Sequence, residues 1–74
     1  MPSVPARDPR PNLTAREHEV LRLLADGNTN DQVAKTLTIS ADTVQTHVRN
    51  AMKKLGADTR TQAVASAMRQ ALIH

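Results

Sequence analysis

Apolar residues recur along this chain at intervals of three and four positions, the spacing that defines one face of an α-helix. Four such segments follow Asn12, with neither the strict alternation typical of strands nor an internal repeat. They predict helices at about 15–26, 30–36, 41–55 and 60–72. The sequence therefore predicts an all-α fold, a compact domain of four short helices.

Each predicted helix is preceded by a hydroxyl side chain that can cap free backbone N–H groups. The segments 14–17, 29–32 and 59–62 each place a Thr three residues before a Glu or Gln, which is the capping-box pattern. Ser40 is the candidate cap of the third helix. The two glycines of the chain directly follow the first and third helices, as helix ends often require.

The predicted core is aliphatic, because the chain has no aromatic residue and no cysteine. Neither a disulfide nor a cysteine-bound metal can therefore stabilise it. We expect the turn at 38–40 to point Ile39 inward. The expected core residues are Val20, Leu21, Leu23, Leu24, Val33, Ala34, Leu37, Val44, Val48, Ala51 and Leu55. Some, but not all, of the apolar residues of the fourth helix should join them, from Ala63, Val64, Ala67, Met68, Ala71 and Leu72.

Length and composition exclude several classes of protein. A chain of 74 residues allows one small domain and leaves little room for a large catalytic cleft. No apolar run reaches the roughly 20 residues that span a bilayer, and the N-terminus lacks the apolar stretch of a signal peptide. All four prolines fall within residues 1–11. We therefore expect a Pro-rich flexible linker at 1–12, or an arm that reaches a DNA groove, followed by one domain at 13–74.

The outer face of the third predicted helix carries side chains suited to a DNA major groove. Arginine can fork onto guanine, glutamine can pair with adenine, and threonine offers a hydroxyl and a methyl group. Residues 43–74 also hold five of the ten Lys and Arg residues but only one of the seven acids. A short helix, a tight turn and a longer helix indicate a helix-turn-helix, although an ordinary solvated face would have a similar pattern. The outward residues are Gln45, Thr46, Arg49, Asn50 and Lys53.

Patterns that would indicate catalysis or metal binding are missing from the sequence. His18, His47 and His74 do not have metal-ligand spacing, and no nucleophile stands in a Ser–His–Asp or Cys–His arrangement. No glycine-rich phosphate loop occurs. We expect a protein that is not an enzyme and that holds no metal, no cofactor and no small-molecule ligand.

Three segments of the sequence resemble the sequence pattern of one family. Residues 13–27 resemble the opening LTxREREVLxLLAxG of the effector domains of LuxR/NarL-type bacterial transcription regulators. Residues 29–44 resemble the family's centre, SNKEIAxxLxISxxTV, and residues 47–64 its end, HxxNIxxKLGxxxRxxAV. The resemblance runs from about Leu13 to Ile73, which is nearly the whole predicted domain.

The resemblance implies a role for each helix. The second and third should form the helix-turn-helix, the third should enter the major groove, and the fourth should close the core and make dimer contacts. Base contacts are expected from Gln45, Thr46 and Arg49. Contacts to the DNA backbone are expected from Thr29, Asn30, Thr43, His47, Asn50 and Lys53. The dimer interface is expected at Val64, Ala67, Met68 and Ala71.

Two positions depart from the family pattern, which usually has Lys at Gln45 and often Lys at Asp31. Both changes remove positive charge near DNA, so we expect weaker non-specific binding and more dependence on hydrogen bonds at Gln45. Asp42 lies near the reading face. It is either a favourable acid in the first turn of a helix or a group that repels phosphate or accepts from a cytosine amino group.

The resemblance also implies partners and a place in the cell. We expect sequence-specific binding to double-stranded DNA at an inverted repeat, by a weak homodimer, in the bacterial cytoplasm at the nucleoid, with RNA polymerase as a further partner. The domain would be the effector of a response regulator in a two-component system, or alternatively a stand-alone short regulator. A rival hypothesis is a helical protein-interaction module that uses the fourth helix and has lost DNA binding.

Overall fold

A computed structural model describes residues 12–70 and residue 73, and within them the all-α prediction is confirmed. Its helices are α1, Ala15–Ala25; α2, Asn30–Leu37; α3, Ala41–Leu55; and α4, Arg60–Arg69. The first three end within one residue of their predicted bounds, whereas α4 ends earlier than residue 72. Ala71 and Leu72, like the Pro-rich residues 1–11, lie outside the described part.

Capping explains where the helices begin. Thr14 Oγ1 accepts from the Glu17 N–H at 3.1 Å while Glu17 Oε1 accepts from the Thr14 N–H at 2.9 Å. Thr29 and Gln32 form the same reciprocal pair at the start of α2, and Ser40 Oγ accepts from the Thr43 N–H at 3.0 Å. The predicted capping boxes of α1 and α2 are therefore confirmed.

Only one of the two hydrogen bonds of the predicted α4 capping box forms. Thr59 Oγ1 accepts from the Gln62 N–H at 3.1 Å, but Gln62 Oε1 accepts from the Asp58 N–H at 2.8 Å rather than from that of Thr59. The φ of Thr59 is −135°, against −80° at Thr29, the cap of α2. This more extended backbone presents the N–H of the preceding residue to Gln62.

The core consists of two groups of aliphatic side chains that share α1 and α3. Val20, Val33, Val44 and Val48 hold α1, α2 and α3 together. On the other side of α3, Leu13, Leu21, Ala51, Ala63, Ala67 and Ile73 join α1, α3 and α4. Because α3 packs against each of the other three helices, its inner face is completely enclosed.

The apolar side of α4 is divided between the core and solvent. Met68 is 58% exposed. Ala63 and Ala67 fill the interior side of α4 instead, since their small side chains let α4 approach α1 and α3 closely. Leu23, Leu24, Ala34, Leu37, Leu55 and Val64 are only half-buried at the edge of the core.

A buried carboxylate, which the sequence analysis did not assign to the core, connects the beginning of α1 to the end of α3. The Lys54 Nζ lies 2.7 Å from Glu17 Oε1, and only 4% of the Glu17 side chain is exposed. Burial by itself would raise the pKa of Glu17. The hydrogen bond from Lys54, the bonds from Thr14 and the Lys54 charge outweigh burial and hold that pKa below its ordinary value.

The turn between α2 and α3 contains a left-handed residue that is not glycine. Thr38 has φ 59° and ψ 48°, and its N–H donates to the carbonyls of Ala34 and Lys35. The following Ile39 N–H also donates to the Ala34 carbonyl, at 3.0 Å, and Ile39 is half-buried as expected. A β-branched residue in this conformation is strained by about 1–2 kcal/mol.

We predict that Lys54→Met destabilises the domain by about 1–3 kcal/mol at neutral pH, because it strands the Glu17 carboxylate in a buried site that water reaches only partly. The folded-state pKa of Glu17 lies below its ordinary value of 4.5, so the Lys54–Glu17 pair stabilises the fold fully above pH 4.5. This stabilisation is lost as the pH falls through the folded-state pKa. The loss from Lys54→Met should therefore shrink as the pH is lowered below 4.5. Urea unfolding at neutral pH and at successively lower pH measures it.

Lys53→Met is the matched control for this experiment, since Lys53 is the adjacent, exposed lysine of the same helix. It should change stability by less than about 0.5 kcal/mol. An equal loss for both variants, or a Lys54→Met loss that does not depend on pH, would contradict the assignment.

We predict that Thr38→Gly stabilises the domain by about 0.5–1 kcal/mol, because glycine adopts the left-handed conformation without strain. Glycine also raises the conformational entropy of the unfolded chain, and this effect offsets only part of the stabilisation. Thr36→Gly, the same change inside α2, should destabilise it by a similar amount. Thermal and urea midpoints of the two variants report the opposite signs. Destabilisation by Thr38→Gly would show that the turn is not strained.

Candidate DNA interface

The third helix has two faces of opposite character. Val44, Val48 and Ala51 are at most 1% exposed and fix one face against the core. The opposite face is exposed at Gln45, Thr46, Arg49, Asn50 and Lys53, as the sequence predicted. Since neighbouring positions on one side of a helix are three and four residues apart, these side chains form a continuous polar strip along α3.

The predicted base-contacting residues differ in how firmly they are held. The Gln45 Oε1 accepts a hydrogen bond from Asn30 Nδ2 of α2 at 3.1 Å. Thr46 Oγ1 donates to the Asp42 carbonyl of its own helix at 3.1 Å, which leaves its methyl group and an oxygen lone pair for a partner. Among the described residues, no hydrogen bond holds the Arg49 guanidinium. Gln45 and Thr46 are thus oriented by the protein.

Sequence reasoning assigned no role to Arg60, yet this residue extends the network behind Gln45. Its Nη2 donates to Asn30 Oδ1, so that Arg60 of α4, Asn30 of α2 and Gln45 of α3 form one chain of hydrogen bonds. Arg60 lies 30 residues beyond Asn30 in the sequence, and no local pattern links the two. Only the tertiary fold brings them together.

The predicted backbone-contacting residues lie at the helix starts and along α3. Thr29 caps α2, and its capping box uses the N–H groups of Thr29 and Gln32, which leaves those of Asn30 and Asp31 in the first turn. Thr43 shares a 2.8 Å hydroxyl contact with Ser40 at the start of α3. Thr29, Thr43, Asn50 and Lys53 are exposed, whereas Asn30 and His47 are half-buried.

Two carboxylates lower the positive potential of this surface. Asp31 and Asp42 are both exposed, in the first turns of α2 and α3. Each is favourably placed relative to its own helix dipole, and each opposes a phosphate at the same helix start. The exposed cations of this face, Arg49 and Lys53, lie further along α3.

The predicted dimer surface needs correction at Ala67. Ala67 is 0% exposed within its own protomer, because it fills the space between α4 and the α1–α3 pair, and a partner cannot reach it. Val64 is half-buried and Met68 is exposed, and both line a surface groove beside the end of α1. Ala71 lies outside the described residues.

Residues 12–70 and 73 contain no group of three or more His, Asp or Glu side chains that could hold a metal ion. No helix there is long and apolar enough to cross a membrane.

The geometry defines a class of protein. A short helix, a turn with Ser40 capping the next helix, and a longer helix with an exposed hydrogen-bonding face make a helix-turn-helix domain. The model of the family described as "Bacterial regulatory proteins, luxR family" matches residues 11–67, well over half of the chain. The chain belongs to this family and is a helix-turn-helix DNA-binding domain of transcription regulators.

Curated relatives are longer proteins of which the chain matches a part. It is 44% identical over 68 residues to the HTH-type transcriptional regulator MalT of Yersinia pestis (strain Pestoides F), covering 92% of this chain and 8% of MalT. It is 42% identical over 66 residues to the transcriptional regulatory protein LiaR of Bacillus subtilis (strain 168), covering 89% of this chain and 31% of LiaR.

Solved structures share the fold. The transcription factor GerE superposes with a TM-score of 0.80 at 34% identity, over 84% of this chain and 92% of GerE. The response regulator ChrA of a heme-sensing two-component system also gives 0.80, at 47% identity, over 89% of this chain and 33% of ChrA. The LuxR-type receptor VqmA of Vibrio cholerae, described as a dimer, gives 0.79 at 32% identity, over 85% of this chain and 29% of VqmA.

Proposed function

We propose that two copies of this domain bind an inverted repeat in double-stranded DNA and that each inserts α3 into the major groove. The observation that carries the proposal is the pairing of an enclosed inner face of α3 with an exposed, hydrogen-bonding outer face. A helix with side chains is about 10–12 Å across, and the major groove is about 12 Å wide. Two such helices would occupy successive turns about 34 Å apart.

Base and phosphate contacts divide along α3. Gln45, Thr46 and Arg49 read base edges, because they project from the part of the outer face nearest the turn, where recognition helices meet bases. Lys53 lies about one turn beyond Arg49 and meets phosphate. The remaining backbone contacts come from Thr29, Asn30, Thr43, His47 and Asn50. The exposed Asp31 and Asp42 keep the affinity for unrelated sequences low.

The second copy binds through the side of α4 that carries the half-buried Val64 and the exposed Met68. Met68 is the one large apolar side chain that is exposed among the described residues. Burying it against its counterpart would remove apolar area from water at a symmetric interface. So small a patch supports only a weak dimer, in the micromolar range or weaker, below roughly 1,200 Å² of buried surface.

The regulator to which this domain contributes is, in our proposal, of the response-regulator type in a two-component system. The support is the similarity to part of LiaR and to part of the response regulator ChrA. Such a protein acts in the cytoplasm at the nucleoid, where RNA polymerase is its further partner. In this role the domain needs no catalytic activity, cofactor or small-molecule ligand of its own.

We predict that Arg49→Ala weakens binding to the specific site by about 1–3 kcal/mol and flattens the preference at one base pair, with little change on random DNA. Lys53→Ala should weaken binding to both kinds of DNA about equally and reduce the salt slope by about 1. Fluorescence anisotropy on both duplexes at several salt concentrations measures these effects.

Arg22→Ala, at an exposed arginine of α1, is the control for the loss of one positive charge. It should leave the base preference unchanged. Equal losses on specific and random DNA for Arg49→Ala would contradict its assignment as a base-reading residue.

We predict that Met68→Glu removes cooperative binding to a two-half-site duplex and leaves the affinity for a single half-site within about twofold, because it places a charge in the apolar contact. Met68→Leu, which keeps the apolar surface, should retain cooperativity. Sedimentation of the protein with each duplex gives the stoichiometry. Unchanged cooperativity in Met68→Glu would exclude this surface as the dimer contact.

A further inference from the structure

Three polar side chains join α2, α3 and α4, and through them α2 and α4 are linked to each other. The backbones of α2 and α4 do not pack against each other in the described part of the chain, since both lie against α3 and α1. Arg60 of α4 nevertheless donates to Asn30 Oδ1 of α2, and Asn30 Nδ2 donates to Gln45 Oε1 of α3 at 3.1 Å. The last member of this chain is a residue to which we assign base reading.

Because arginine can only donate hydrogen bonds, it fixes which atoms of the Asn30 and Gln45 amides face each other. A guanidinium has five N–H donors and no acceptor, so the Asn30 atom that faces Arg60 must be the carbonyl oxygen. The amide nitrogen of Asn30 then faces Gln45, and the Gln45 atom that faces Asn30 must in turn be its oxygen. A glutamine alone can present either end of its amide, but Arg60 removes this choice.

We propose that Arg60 and Asn30 are positioning residues that set the base specificity of Gln45 by fixing its amide with the oxygen towards α2 and the two Nε2 N–H donors towards the groove. This inference rests on the proposed function. Held in this way, Gln45 prefers a base edge rich in acceptors. Guanine offers two acceptors, N7 and O6, at the major-groove edge, whereas cytosine offers the N4 amino donor.

One substitution can reverse the orientation of the Gln45 amide. In Asn30→Asp the new carboxylate still accepts from Arg60, but it faces Gln45 with an oxygen and can only accept. The Gln45 amide must then turn to donate to it, which leaves Oε1 towards the groove. At the base pair that Gln45 reads, the roughly tenfold preference for guanine should be replaced by a preference for a base with an amino donor at its major-groove edge, which is cytosine through N4 or adenine through N6.

The experiment is selection of bound duplexes from a random pool, with sequencing, for the wild type and a set of single and double variants. Gln45→Ala identifies the base pair that Gln45 reads, as the position at which preference disappears. Arg60→Ala frees both amides and should reduce discrimination there to within about twofold, while preferences at other positions stay as in the wild type. Arg69→Ala, an exposed arginine at the other end of α4, controls for loss of charge.

The double variants separate positioning from ordinary contacts. In a Gln45→Ala background, Asn30→Asp and Arg60→Ala should no longer change the preference at that base pair, since no amide remains to be oriented. A direct phosphate contact by Arg60 would instead weaken all sequences equally in both backgrounds, and that result would overturn the proposal.

The free protein provides a readout without DNA. In NMR spectra, the side-chain NH₂ protons of Asn30 should show one hydrogen-bonded proton in the wild type, and Arg60→Ala should move both towards the values of a free amide. If the wild type binds with a clear sequence preference and neither Asn30→Asp nor Arg60→Ala alters it, the positioning role of Arg60 and Asn30 is overturned and the proposed function stands. Failure of the wild type to bind any duplex would overturn both.

Discussion

The burial of one face of α3 is the constraint on which the rest of the structure depends. Val44 and Val48 pack between α1 and α2, and Ala51 packs between α1 and α4, so that α3, like α1, contacts each of the other three helices. Burying a valine side chain contributes about 1.5–3 kcal/mol, a large share of the stability of a domain this small. Because the inner face is fixed, the opposite face has a fixed direction towards solvent. The same contacts that stabilise the fold therefore present the exposed polar side chains of α3 in one direction.

Polar groups then set the finer geometry that an aliphatic core leaves open. The Lys54–Glu17 pair fastens the end of α3 to the capped start of α1 at 2.7 Å. At the other end, Ser40 caps the helix and the left-handed Thr38 sets the angle at which it leaves α2. The chain from Arg60 through Asn30 to Gln45 adds orientation to the reading face itself. The aliphatic side chains fix the position of α3, and the directional hydrogen bonds fix the orientation of the Gln45 amide.

Local sequence signals predicted most of the fold, because caps, periodicity and glycine stops act within a few residues. These signals predicted both ends of α3 and the first residue of every helix. They did not predict the burial of Glu17 with Lys54 or the link from Arg60 to Asn30, since both join residues 30 or more positions apart. Met68 and Ala67 show the same limit: periodicity groups them on one apolar side, and only packing decides that Ala67 faces the core and Met68 the solvent. The exposed strip of α3 was predictable, but the orientation of Gln45 within it was not.

The central claim is that the exposed face of α3 reads DNA sequence. It is tested most directly by fluorescence anisotropy of the protein on a random duplex pool at about 50 and 200 mM salt, followed by sequencing of the bound fraction. We expect binding that weakens steeply with salt, as phosphate contacts require, together with enrichment of an inverted repeat. No binding at the lower salt concentration, or binding without any enriched sequence, would contradict the account.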